Sequence, residues 1–95
     1  MLDLTQKKTL DIKLSKRKVL HILPPTNRLY DSLISLYGDP ESKERVNEVV
    51  ASILSNNTAH KEIKIKYIAK LHESDITTIL EVYTEFIKQI KESPN

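Results

Sequence analysis

From Thr9 to Leu14 apolar and polar residues alternate, placing Leu10, Ile12 and Leu14 on one face and Thr9, Asp11 and Lys13 on the other. A period of two marks a strand with one buried face. Val19 to Leu23 is a second β-prone run in which Leu20 and Ile22 share a face, and the polar Ser15-Lys16-Arg17-Lys18 between them is short enough to close an antiparallel hairpin. That connection lacks the Asn-Gly or Asp-Gly pair that pins a two-residue turn. Pro24-Pro25 ends the ladder, because neither residue has an N–H to donate.

Beyond the prolines the apolar spacing becomes helical. Thr26 is placed as an N-cap, Leu29, Leu33, Leu36 and Tyr37 follow at helical intervals, and Gly38 stands where a left-handed C-terminal cap closes a helix over about 27–37. Asp39-Pro40 supplies a cap and a first helical residue for a second helix, whose stripe is Val46, Val49, Val50, Ile53 and Leu54. Asn56-Asn57-Thr58 reads as a helix stop and loop, and Ile63 as a core anchor within the polar stretch 59–64. A short helix over 65–71 is expected to point Ile65, Ile68, Ala69 and Leu71 inward. Ser74 then caps a long last helix, with Asp75 placed well against its dipole. Ile76, Ile79, Leu80, Tyr83, Phe86, Ile87 and Ile90 form its stripe down to Lys91. The predicted fold is α+β and mainly α, a single domain over 1–95: an N-terminal β-hairpin (9–23) packed on a bundle of about four helices (26–91), with a flexible tail over 92–95.

Composition narrows the chemistry. The chain is 39% apolar and 29% charged, ordinary for a folded domain, and its 95 residues suit one modest core rather than a core and a deep cleft together. With no Cys there is no disulfide, thiolate metal site or Cys nucleophile, so packing must hold the fold. No run approaches the ~20 apolar residues that span a bilayer, and the first twenty residues lack a signal-peptide core, so a cytoplasmic protein with no membrane partner is expected. The net charge of +2 is unevenly spread: residues 1–28 carry seven Lys and Arg against two Asp, a net +5, which leaves −3 for the rest. No aromatic residue is interleaved with that charge for base stacking, so it reads as a solvated hairpin whose lysines discourage edge pairing, and nucleic acid is not the expected partner.

No catalytic or metal-binding constellation emerges, and no cofactor is expected. His21 falls on the polar face of a strand, His60 in a loop and His72 at a helix end, with neither the spacing nor the carboxylate partners of a ligand set. The single Gly cannot build a phosphate-cradling loop, and the prominent hydroxyls, Thr26 and Ser74, are explained as caps. Glu81 and Glu85 are i, i+4 neighbours on an exposed helix face, where like charges mildly repel and acid–base work has no setting. The protein is expected not to be an enzyme. What remains are the aromatic side chains Tyr30, Tyr37, Tyr67, Tyr83 and Phe86, of which Tyr30, Tyr37, Tyr83 and Phe86 are taken forward as the partner-binding candidates. Tyr83 and Phe86 lie on the stripe of the last helix and read first as core; Tyr30 lies off the main stripe of its helix and is better placed for a partly exposed contact.

The order of these elements resembles the small tail assembly chaperones of long-tailed phages and prophages of Gram-positive bacteria. The residues that carry the likeness are the alternating run Leu10 to Leu14, Leu20, Pro25-Thr26, Leu29, Leu54-Ser55-Asn56-Asn57, Ile63 to Ile68, Ile79-Leu80, Tyr83, Phe86-Ile87 and Pro94-Asn95. The turn at 15–18 departs from the Asp-Gly type of such hairpins, and Lys64 stands where a Ser or Thr cap is usual. The resemblance implies a protein made in the cytoplasm of the bacterial host and absent from the mature virion. It would bind the tape measure protein, keep that long amphipathic client soluble, and assist polymerisation of the tail tube protein, with homo-oligomers possible. A small nucleic-acid-binding regulator, or a structural tail or connector subunit retained in the virion, are the alternatives.

Overall fold

β1 (Leu10–Ser15) and β2 (Lys18–Ile22) form a two-stranded antiparallel sheet in which Leu10 faces Ile22 and Ile12 faces Leu20. The computed structural model describes residues 8–38 and 43–92. The alternation predicted for the hairpin holds, with Leu20 and Ile22 buried and Leu10, Ile12 and Leu14 half-buried beside them. Register slips between Lys13 and Ser15, leaving Leu14 as an extra residue. Neither Lys16 nor Arg17 takes a positive φ, so the turn is not of the primed type whose twist matches the strands, and the bulge absorbs the mismatch.

Thr26 caps α1 (Asn27–Gly38) as expected: its hydroxyl accepts the Leu29 N–H at 3.2 Å and its carbonyl the Tyr30 N–H at 2.9 Å. Gly38 does not form a left-handed cap. It is the last helical residue and keeps a negative φ. The Asp39-Pro40 start proposed for the second helix lies outside the described residues.

α2 (Lys43–Ser55) buries Val49, Val50, Ala51, Ile53 and Leu54, and it packs against α1, α3, α4 and β2. Valine costs a helix roughly 0.5–0.7 kcal/mol relative to alanine, whereas burying one contributes roughly 1.5–3 kcal/mol. Tertiary contact therefore outweighs propensity along this helix. α3 (Ile65–Ala69) is a single turn begun by Lys64, whose side chain makes no cap bond. Only Ile68 of its residues is buried. Ile65, expected inside, is 46% exposed, and Ala69 is exposed with it. The two are i, i+4 neighbours on one side of a one-turn helix, and seating Ile68 turns that side outward.

α4 (Glu73–Glu92) starts one residue before the expected cap. His72 precedes it, its carbonyl accepting the N–H groups of Asp75 (3.0 Å) and Ile76 (3.2 Å), and Ser74 sits inside the first turn as the acceptor for Thr78 Oγ1. Glu73 and Asp75 supply the negative charge that a helix N-terminus favours. The long stripe is as predicted, with Ile79, Tyr83, Phe86 and Ile87 buried. Helix continues through Glu92, where the tail was expected to begin; the rest of that tail lies outside the described residues.

The segment after α2 is more ordered than a loop. Asn57 is 2% exposed, and its amide bonds four times to backbone: Nδ2 donates to the carbonyls of Leu54 and Lys61 (both 2.8 Å), and Oδ1 accepts the N–H groups of Ala59 (3.1 Å) and Lys61 (3.0 Å). Asn56 O accepts the Leu23 N–H at 2.8 Å, and Thr58 N–H donates to His21 O at 3.0 Å, so this segment forms a bridge along the outer edge of β2. Ser55 Oγ holds both the N–H (2.9 Å) and the carbonyl (3.2 Å) of Ile63. The turn closes through His60, which has a φ of 55°.

Replacing Asn57 with Ala removes one buried and three partly buried hydrogen bonds to backbone, and a loss of about 3 kcal/mol is expected. Urea denaturation should show a lower midpoint at unchanged slope. A loss below about 1 kcal/mol would mean that the loop does not depend on the amide.

Candidate partner-binding surface

α1 carries two neighbouring apolar stripes. One, Leu29, Leu33 and Leu36, is buried; the other, Tyr30, Ile34 and Tyr37, follows one residue behind at i, i+4, i+7. Within this second stripe Tyr30 is half-buried, while Ile34 and Tyr37 are each 54% exposed.

Both tyrosines reach α4. Lys91 Nζ donates to Tyr30 Oη at 2.5 Å and lies 4.4 Å from the ring centroid, a hydrogen bond and a cation–π contact together. Tyr37 Oη lies 2.6 Å from Thr84 Oγ1, which itself donates to Leu80 O at 2.8 Å. The threonine proton is thus committed, and Tyr37 is the donor. Thr84, Lys88 and Lys91 follow one another at i, i+4, i+7, so the seam between α1 and α4 has an apolar side and a cationic rim.

The other two aromatic candidates lie inside. Tyr83 has no exposed surface and Phe86 is 6% exposed, with ring centroids 6.3 Å apart at an interplanar angle of 44°. The Tyr83 hydroxyl is buried without a hydrogen-bond partner among the described residues, and burial pushes its pKa well above the ordinary tyrosine value. These rings act as core, as their place on the stripe predicted. Ile34 is not marked out by the sequence pattern, and Tyr37 falls at the same helical spacing as the leucines. Stripe spacing alone does not say which of two adjacent rows meets the core.

The three histidines are exposed and are not brought together. Among the described residues no group of three or more His, Cys, Asp or Glu is placed to hold a metal. His21 does have a carboxylate partner, contrary to expectation: its Nδ1 donates to Asp11 Oδ1 at 2.6 Å across the hairpin. The two residues are ten apart in sequence and become neighbours only through the strand register. Glu81 and Glu85 are exposed, flanking a groove of about 280 Å³ lined also by Leu10, Val82, Phe86 and Gln89. No described helix is long and apolar enough to cross a membrane. In comparisons with known protein families, curated proteins and solved structures, the chain matches none.

Two outcomes follow from this geometry. Tyr83→Phe removes a buried hydroxyl that has no partner among the described residues and is expected to raise stability by about 1 kcal/mol; a comparable loss in thermal or chemical denaturation would show that the hydroxyl is satisfied. The His21 hydrogen bond holds the Asp11 carboxyl below its usual value of 3.8. Its contribution to stability is therefore complete above the ordinary carboxylate range and is lost as pH falls through the lowered folded-state value. Carboxyl-carbon NMR should place the Asp11 midpoint below 3.8, and His21→Ala should move it upward. A midpoint that ignores the substitution would rule out the pair in solution.

Proposed function

We propose that the protein is a tail assembly chaperone of the kind its sequence resembles. It covers apolar stripes on the helices of a tape measure protein until tail tube subunits polymerise around that client. The observation that supports this reading is the outward stripe of α1, Tyr30, Ile34 and Tyr37, which presents apolar area at the spacing by which one helix docks on another. Tyr30 and Tyr37 are already held at their hydroxyls by Lys91 and Thr84, so little side-chain entropy remains to be lost on binding.

The rim formed by Lys88 and Lys91 favours a client helix with acidic residues beside its apolar stripe. Covering a long client takes many copies, and modest affinity at each is sufficient when neighbouring copies bind together and is compatible with later release. The proposed action is non-covalent and needs no cofactor.

Co-expression with a tape measure fragment tests the reading. The fragment is expected to move into the soluble fraction and to co-purify, and Ile34→Asp with Tyr37→Ala should weaken capture at least about tenfold while the variant keeps its circular dichroism spectrum. A fragment whose solubility is the same with and without the protein would refute the chaperone reading.

A further inference from the structure

We propose that two copies of this chain pair through the open edges of their β1 strands, antiparallel and centred on Ile12, to make one four-stranded sheet. The inference does not depend on the identity of the client.

The bonds to the 56–58 segment reveal which backbone groups of β1 are open. His21 O and Leu23 N–H both point away from β1, toward Thr58 and Asn56. Backbone directions alternate along a strand, so Leu20 and Ile22 bond to β1, and their opposites Ile12 and Leu10 point back at β2. The N–H and C=O groups of Asp11 and Lys13 therefore face the other way. Among the described residues the sheet has two strands, and no further backbone bond reaches Leu10 to Ser15. Among the described residues the outer edge of β2 is covered and that of β1 is not.

A second copy is favoured as the occupant because the strand complements itself. Pairing Leu10-Asp11-Ile12-Lys13-Leu14 antiparallel about Ile12 sets Leu10 opposite Leu14, Asp11 opposite Lys13, and Ile12 opposite itself. The outward-bonding residues, Asp11 and Lys13, are the two that meet as hydrogen-bonded pairs, twice by symmetry, which gives four new backbone bonds.

The side chains agree with the backbone. Lys13 has no partner among the described residues, and both contacts of Asp11, from His21 and from Thr9, fall on Oδ1 and leave Oδ2 open. On the inner face Leu10, Ile12 and Leu14 are only half-buried, and Leu10 borders the groove where Val82 is 41% exposed. A second copy covers this row with the same residues. The bulge at Leu14 stops the ladder from running further, so the interface is small and the association weak and concentration-dependent.

Reciprocal charge variants test the proposal. D11K makes both positions cationic and K13D makes both acidic, so each variant sets like charges opposite each other, whereas a mixed pair is fully complementary. Sedimentation equilibrium up to about 1 mM is expected to show wild-type dimer, at least about tenfold weaker self-association in either variant, and recovery of the wild-type level in an equimolar mixture. Circular dichroism of each variant checks its fold, and recovery on mixing itself requires folded chains. A wild type that stays monomeric at 1 mM, or a dimer equally strong in either variant, would overturn the proposal.

Discussion

The side-chain amide of Asn57 satisfies four backbone groups: the Leu54 carbonyl in the last turn of α2, and the Ala59 N–H and the Lys61 N–H and carbonyl in the segment before α3, where no helix or strand ladder reaches. Peptide groups held against the core are costly to leave unpaired, so those bonds hold the segment in place. With the segment in place, Asn56 and Thr58 become the second neighbour of β2 and fix the hairpin against the helices. Asn56 also donates to the Pro24 carbonyl at 3.0 Å, just before the Thr26 cap that starts α1. The position of the hairpin, the entry of α1 and the seating of Ile63 thus trace back to one short polar run.

α2 carries the apolar half of the same design. It lies against α1, α3, α4 and β2, and Val50, Ile53 and Leu54 are wholly buried there. Because α1 meets α2 with its leucine stripe, the adjacent Tyr30, Ile34 and Tyr37 stripe is left facing outward beside α4. An apolar row that is left over once the core has formed is a sound basis for a binding protein, since its exposure is imposed by the packing of its neighbour.

Much of this was legible in the residues alone. Strict alternation over 9–14 set the faces of the hairpin, Thr26 marked the start of α1, and the stripes of α2 and α4 named most of the buried side chains. Those signals are local and periodic, and local periodicity is what a chain segment expresses without its neighbours. The misses concern contacts or choices made elsewhere in the fold. Asn56-Asn57-Thr58 has the composition of a solvated loop, and only tertiary structure turns Asn57 into a core residue. The Asp11–His21 pair required the register, and the outward turn of Ile65 and Ala69 required knowing that α3 is a single turn. For the candidate site, the partial exposure of Tyr30 and the burial of Tyr83 and Phe86 follow from their places in the stripes, while the exposed row through Ile34 needed the position of α2 to separate it from its buried neighbour.

The dependence of the fold on Asn57 is tested most directly by native-state hydrogen exchange at the amides of Ala59 and Lys61. These are the two N–H groups that donate to its side chain. Both should exchange slowly, with opening free energies near those of the α2 core amides, because releasing them requires the core to open. Exchange within about tenfold of the unprotected rate at both amides, with α2 still protected, would mean that the segment is an ordinary mobile loop and would contradict the account.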